Sequence, residues 1–271
     1  MANISKGASF LSSEIRKNFA SFYLFGDLST TKRDLVGRND LTYVAGSPSL
    51  FYGKDGVGES FDGTKYLVNN SIAAPITTDP VFLYFNIQIS TSVSSTFRIM
   101  SMGSSSPPGY QIDVVRDVGA GARLYGRVIH SDLVSPNDIS TTHVSKNNSF
   151  YYSVGVFHVR DDASGTMKLF VNGEKVLVDV YRAISISSGG SIDKVSIGAG
   201  LTGANGFVGG IFSAGWGTLD PGDDFFRRLS LNPDGVIFQK PFRRISTSMF
   251  TIKQRRTFPP MGMRSGSRRP E

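Results

Sequence analysis

Apolar and polar residues alternate in short stretches along the chain, and this period of two predicts β-strands rather than helices. The alternation is clear in residues 81–90, where Phe85 and Ile87 lie on one side and Asn86 and Gln88 on the other. One face of this strand is therefore expected to be buried and the other to be wet. By the same reasoning, the predicted strands are residues 22–25, 41–44, 59–68, 81–90, 96–102, 109–116, 123–130, 150–160, 167–171, 174–182, 192–197 and 206–216.

A β-hairpin is predicted around Asn172 and Gly173. Met167, Leu169 and Val171 alternate with other residues before this pair, and a second alternating run of valines follows it. The Asn-Gly pair supplies the two positive φ angles that a type I′ turn requires. Hairpins of this kind stack into sandwiches, so the sequence favours an all-β fold.

One main domain with two extensions is predicted, because all-β sandwiches of this size form single domains. Residues 1–20 form a polar N-terminal lead with one possible helical turn at 12–15. Residues 21–235 form the sandwich, and residues 236–271 form a C-terminal arm.

A short helix is predicted near the end of the sandwich, over residues 218–229. Asp220 is expected to cap it and Pro221 to occupy its first position. Asp223 and Asp224 would then face the positive end of the helix dipole, which explains this acidic cluster without a catalytic role.

Positive charge is concentrated in the arm. The chain has a net charge of +7, and residues 236–271 contain nine Lys or Arg but only one acidic residue. A solvated, disordered terminus would explain the charge but not the large apolar residues between the basic ones. We therefore expect an arm that packs on a neighbouring subunit or an acidic partner, with nucleic acid as a weaker alternative. The candidate partner-binding residues are Phe238, Phe242, Arg243, Arg244, Phe250, Arg255, Arg256 and Phe258.

The chain contains no cysteine, so no disulfide framework stabilises it, and synthesis in a reducing cytosol is favoured. Neither a signal-peptide pattern nor a run of about 18 apolar residues is present in the sequence. We therefore expect a protein without a membrane partner and without a Sec-type export signal.

Four sequence motifs occur in an order and spacing typical of one family. They are Asp-Leu-Val-Gly-Arg-Asn-Asp-Leu at 34–41, Phe-Asp-Gly-Thr-Lys-Tyr-Leu at 61–67, Leu-Phe-Val-Asn-Gly-Glu at 169–174, and Ile-Gly at 197–198 followed by Gly-Phe-Val-Gly-Gly-Ile at 206–211. Together they resemble the laminin-G-like, concanavalin-A-like jelly-roll family over residues 20–233. The resemblance implies a two-sheet antiparallel jelly-roll sandwich with a short C-terminal helix and an extended basic tail.

The segment 229–244 adds a narrower likeness. Its Leu-x-x-Asn-Pro pattern and the basic, Pro-containing stretch that follows resemble the ending of such domains in tailed-bacteriophage virion proteins, although Asp234 stands where an aromatic residue is usual. The resemblance implies a non-enzymatic virion protein, made in the host cytoplasm, that assembles with other virion proteins and with copies of itself. A head decoration (cement) protein is the first expectation, and a carbohydrate-binding module of a tail or fibre is the alternative.

No catalytic residues are predicted. Glycoside hydrolases that share this jelly roll need two carboxylates a few Å apart, and the four Glu residues of the chain do not occur in such a run. The three histidines are scattered, and His158 is expected to lie at the surface or rim of its strand.

Two binding sites remain open. Some members of the family bind Ca²⁺ at a sandwich edge, and here Asp161 and Asp162, with Asn205, are the loop residues to inspect, although a solvated turn explains them equally well. No other cofactor is expected. For sugar binding, Tyr110 and Tyr125 are weak candidates, whereas Trp216 lies in an apolar strand and is expected in the core.

Overall fold

Two antiparallel β-sheets face each other, and helices cover part of one of them. The computed structural model describes residues 10–53, 56–73, 76, 80–89, 96–104, 110–117, 123–130, 137–141, 151–160, 166–180 and 191–239. The strands are β1 Ser21–Leu24, β2 Thr31–Lys32, β3 Leu41–Ala45, β4 Leu50–Gly53, β5 Gly56–Asp62, β6 Tyr66–Asn69, β7 Val81–Ile89, β8 Phe97–Gly103, β9 Tyr110–Asp117, β10 Arg123–His130, β11 Asn137–Thr141, β12 Tyr151–Arg160, β13 Thr166–Val171, β14 Glu174–Val180, β15 Lys194–Ile197 and β16 Val208–Gly217. The helices of the described residues are α1 Ser13–Asn18, α2 Asp223–Leu231 and α3 Pro233–Ile237.

Sheet 1 has the strand order β14-β13-β12-β7-β16-β5-β4, and β1 also pairs with β16. Sheet 2 has the order β11-β10-β9-β8-β15-β6-β3-β2. This arrangement confirms the predicted two-sheet sandwich and its short C-terminal helix. No helix within the described ranges is long and apolar enough to cross a membrane.

The main core lies between the sheets. Phe85 and Trp216 reach it from sheet 1 and Leu67 and Ile112 from sheet 2, and all four are almost fully buried. The prediction that Trp216 belongs to the core is confirmed. The sheets approach so closely that a Cβ on Gly126 would lie 2.2 Å from the ring of Phe157 in the opposite sheet, which explains the glycine at this position.

A second apolar cluster lies on the outer face of sheet 1. Phe82 and Tyr84 of β7 point away from the main core, yet both are fully buried, together with Phe170 of β13. Phe226 of α2 covers them, with ring centroids 5.2 Å from Phe82 and 5.5 Å from Phe170. The expectation that one face of residues 81–90 is wet is therefore wrong for β7, because helices cover the part of that face near Phe82 and Tyr84.

Segments from both ends of the described chain form this helical layer together. Leu11 forms a β-bridge with Phe238, and the Ser12 N–H donates to the Ile237 carbonyl at 2.8 Å. Ser12 also caps α1, by accepting from the Ile15 N–H at 3.2 Å, and α1 includes the helical turn predicted at 12–15. The sequence placed Ile237 and Phe238 in the arm, but the structure packs them against the sandwich because their apolar side chains join the second cluster.

Helix α2 begins later than the sequence predicts. Its N-cap is Gly222, with φ 91°, and not Asp220. The Asp220 side chain instead accepts from the Gly222 N–H at 3.0 Å, which closes a turn and delays the helix by two residues relative to the predicted cap. The acidic pair Asp223 and Asp224 lies in the first turn, as expected.

Predicted strand 59–68 is in fact two strands that belong to different sheets. The predicted strand is interrupted at Gly63, whose φ of 92° is unfavourable for other residues. Next to it, an Asp62 carboxylate oxygen accepts from the N–H groups of Thr64 and Lys65 at 2.9 and 3.0 Å. This turn carries the chain from β5 in sheet 1 to β6 in sheet 2, a change that alternation alone does not reveal. The short strands β2, β4 and β11 were also not predicted.

The predicted hairpin is confirmed. Asn172 and Gly173 have φ values of 51° and 86°, as a type I′ turn requires. Substitution Gly173→Val is expected to destabilise the fold by about 1–3 kcal/mol, because valine is strained at this φ and a Cβ would lie 2.9 Å from the Leu231 side chain. A thermal melt measures the loss, and an unchanged melting temperature would contradict this turn geometry.

Candidate carbohydrate-binding face

A group of charged residues lies on the outer face of sheet 2. Ile112 and Val114 of β9 point into the main core, so Asp113 between them points outward. Arg127 of β10 is paired with Asp113 in the strand register, and Arg98 of β8 is also on this face. We call Arg98, Asp113, Arg127 and the half-buried Tyr125 the sheet 2 face.

Asp113 contacts both arginines. Its Oδ2 accepts from Arg127 Nε at 2.9 Å and lies 2.9 Å from Arg127 Nη2 and 3.3 Å from Arg98 Nε. Gln111 donates to the other carboxylate oxygen at 2.6 Å. Asp113 is fully buried, whereas each arginine side chain is 16% exposed. One carboxylate therefore hydrogen-bonds Arg127 and lies within ion-pair distance of Arg98, and solvent reaches both guanidinium groups.

Tyr125 lies next to these charges. Tyr125 and Arg127 are two residues apart on β10, so their side chains point to the same side of sheet 2. Across the strands, Tyr125 pairs with Val115, and Val115 pairs with Arg98. An aromatic ring and two cationic groups thus share an area three strands wide.

The two tyrosines predicted for sugar binding are not brought together. Tyr110 begins β9 opposite His130, whereas Tyr125 pairs with Val115, five residues further along β9. Only Tyr125 is therefore kept as part of the sheet 2 face. Sequence reasoning missed Arg98, Asp113 and Arg127, because a period of two shows that they share a face only after the register of three strands is known.

Most residues predicted for the other sites lie outside the described residues. These are Asp161 and Asp162 for Ca²⁺, and Phe242, Arg243, Arg244, Phe250, Arg255, Arg256 and Phe258 for partner binding. Asn205 is described and exposed; its carbonyl accepts from the Arg98 N–H at 2.8 Å. Within the described ranges, no group of three or more acidic or histidine side chains could hold a metal ion.

Phe238 is the one predicted partner-binding residue that the structure describes. Its ring lies 6.0 Å from the ring of Phe10, and it packs against the second apolar cluster. The structure therefore uses Phe238 within the chain, as part of the layer that joins both ends of the described sequence.

Two carboxylates do converge in the fold, although they are distant in sequence. Lys32 Nζ lies 2.6 Å from an Asp27 oxygen and 2.9 Å from a Glu59 oxygen. Glu59 also contacts Lys65 Nζ at 3.1 Å and accepts a hydrogen bond from the Tyr43 hydroxyl. Burial and the bond to Glu59 raise the pKa of Tyr43.

This group of residues is not a usable glycosidase site. Glu59 is fully buried inside the sandwich, so a sugar cannot reach it, and two ammonium groups already neutralise it. The network joins β5 of sheet 1 to β2 and β3 of sheet 2. Its geometry fits a structural role.

His158 is buried and not on the surface or rim, which corrects the sequence prediction. It lies on β12 beneath α2, with its ring 5.1 Å from that of Phe226. Neither ring nitrogen has a hydrogen-bond partner among the described residues, and the nearest carboxylate oxygen, on Asp220, is 3.9 Å away. Desolvation lowers the pKa of His158 to about 4.

By its fold, the chain is an antiparallel β-sandwich of jelly-roll type. No protein-family model matches the chain, and no curated protein matches it. Solved structures do match.

A sialidase from Trypanosoma rangeli is similar to this chain with a TM-score of 0.56 and 13% identity, over 81% of this chain and 33% of the sialidase. The receptor-binding domain of botulinum neurotoxin D matches with a TM-score of 0.54 and 10% identity, over 80% of this chain and 53% of that one. The enzymatically active domain of tailspike protein 2 from bacteriophage CBA120 matches with a TM-score of 0.51 and 12% identity, over 71% of this chain and 30% of that one. At these identities the likeness shows the β-sandwich fold alone.

Proposed function

We propose that this chain is a non-catalytic carbohydrate-binding sandwich of a bacteriophage tail or fibre. The observation that carries the proposal is the sheet 2 face, where Arg98 and Arg127 both contact Asp113 and lie beside Tyr125. Sugar-binding sites combine an aromatic surface for the ring with fixed polar donors for the hydroxyl groups. This face supplies both.

Two further observations support the proposal. The similar structures include a phage tailspike domain and a sialidase solved with sialic acid. Segment 229–244 resembles the ending of phage virion domains, and this likeness supports a place in a virion. The proposal includes no enzymatic activity, and the burial of the Glu59 network supports this part of it.

The test is a binding assay of the full chain on a panel of β-glucans, galactans and bacterial surface polysaccharides. We expect binding without release of reducing ends, and no change when Ca²⁺ is chelated. Tyr125→Ala should weaken binding about threefold to tenfold, through the loss of ring stacking. Tyr52→Ala is the matched control, because Tyr52 is 75% exposed on β4 of the other sheet, and it should bind as the unmodified chain does. Failure to bind any glycan would refute the proposal, and release of reducing ends would refute its non-catalytic part.

A head decoration protein is the second candidate function. The concentration of positive charge in residues 236–271 favours it, since a basic, aromatic arm suits an acidic partner surface. Localisation of the chain in purified particles separates the candidates: a position on the head supports decoration, and a position on the tail supports carbohydrate binding.

A further inference from the structure

From the geometry of the sheet 2 face, we infer that its ligand is an acidic glycan, and that a sugar carboxylate binds between Arg98 and Arg127. This inference rests on the proposed function and narrows it to one class of glycan. It is carried by the charge, the orientation and the exposure of these two arginines.

The two arginines offer donors to an anion. Asp113 is the only carboxylate with a described side chain that lies within ion-pair distance of Arg98 or Arg127. Asp113 contacts Nε of both arginines and Nη2 of Arg127. The other Nη groups have no acceptor within the described part of the chain. Guanidinium forks of this kind bind a carboxylate through two parallel hydrogen bonds.

Arg127 is also held in place before a ligand arrives. The fully buried Asp113 accepts a hydrogen bond from Arg127 Nε, and Gln111 donates to the Asp113 carboxylate in turn. Arg98 Nε lies 3.3 Å from the same carboxylate without a hydrogen bond. A preorganised arginine loses less side-chain entropy on binding than a free surface arginine does. The remaining exposure of both side chains gives solvent, and hence a ligand, access to them.

Tyr125 makes a sugar a better fit than a simple anion. Residues two apart on a strand lie about 7 Å from each other, so Tyr125 lies about the width of one sugar ring from Arg127. A pyranose whose carboxylate meets the arginines can therefore place its ring against Tyr125.

The experiment compares polygalacturonate with the same polymer after chemical reduction of its carboxyl groups to alcohols. We expect the full chain to bind polygalacturonate at least tenfold more tightly than the reduced polymer. Arg127→Gln and Arg98→Gln should each remove most of this preference, and Arg127→Lys should restore only part of it, because an ammonium cannot form the paired hydrogen bonds. Each variant keeps one arginine or lysine on Asp113, and its thermal melt checks folding.

Arg228→Gln is the matched control, because Arg228 is an exposed arginine that pairs with Glu14 far from this face. It should keep the full preference for the acidic polymer. Heparin tests whether the chain binds any polyanion through positive charge alone. If the chain binds heparin tightly and Arg228→Gln weakens this binding as much as Arg127→Gln does, the inference is overturned.

The two proposals fail differently. Equal binding of the native and the reduced polymer would overturn the acidic ligand but leave carbohydrate binding in place. Absence of binding to both polymers and to every glycan of the wider panel would overturn both proposals. Loss of the preference in either arginine variant, with folding and residual neutral binding retained, supports the carboxylate site.

Discussion

Substitution Glu59→Gln is expected to lower the free energy of unfolding by about 3–5 kcal/mol, the usual effect of removing one partner from a buried ion pair. Lys32 and Lys65 are almost fully buried and both contact Glu59. Glutamine has nearly the same shape but no negative charge, and its amide group would place donors against these ammonium groups and the Tyr43 hydroxyl. Denaturant unfolding of the two proteins measures the loss.

Glu14→Gln is the matched control for this change. Glu14 pairs with Arg228 at 3.0 Å, but both side chains are nearly half exposed, so its loss should cost less than about 1 kcal/mol. A similarly small loss for Glu59→Gln would mean that the network does not stabilise the sandwich. The expected contrast follows from burial, since the two pairs have similar distances.

Local sequence patterns predicted the features of the fold that depend on near neighbours. The Asn172-Gly173 turn needs two positive φ angles, and only a few residue types adopt them. The alternation pattern did not predict where a single residue changes the direction of the chain. At Gly63 the chain passes from sheet 1 to sheet 2 within what the sequence presents as one continuous strand. Alternation also cannot show that a distant helix covers the outer face of β7.

The candidate site was largely invisible to sequence reasoning for a related reason. Arg98, Asp113 and Arg127 come from three strands, and their contact depends on register and on the bulge between Arg98 and Met100. The Glu59 network likewise joins residues of both sheets. Tyr125 was selected as an exposed aromatic candidate, and the structure places it half-buried beside the arginines.

Burial of His158 is expected to make the protein sensitive to acid. Desolvation lowers the pKa of His158 from 6.5 to about 4, so below pH 6.5 the unfolded chain takes up a proton that the folded chain does not. The free energy of unfolding therefore falls as the pH drops from 6.5 towards 4, by about 2–3 kcal/mol at pH 4.5.

Asp223 at the start of α2 acts in the same direction below this range. Burial opposes the effect, but hydrogen bonds from Lys168 and Lys175 hold the pKa of Asp223 below its ordinary value. This contribution is therefore present above the ordinary pKa of an aspartate and is lost as the pH falls through the lowered one. Asp220, Lys168, Asp223 and Arg160 also act on His158, and desolvation outweighs their combined effect on its pKa.

The variant His158→Gln separates the histidine from the carboxylates. We expect the unmodified protein to lose about 2–3 kcal/mol more stability between pH 7 and pH 4.5 than His158→Gln does, whatever the cost of the substitution at pH 7. His130→Gln, in β10 of sheet 2, controls for the removal of one titratable histidine. Denaturant unfolding of the three proteins at both pH values gives the three losses to be compared. Equal losses in the unmodified protein and in His158→Gln would show that His158 is not buried in its neutral form beneath Phe226.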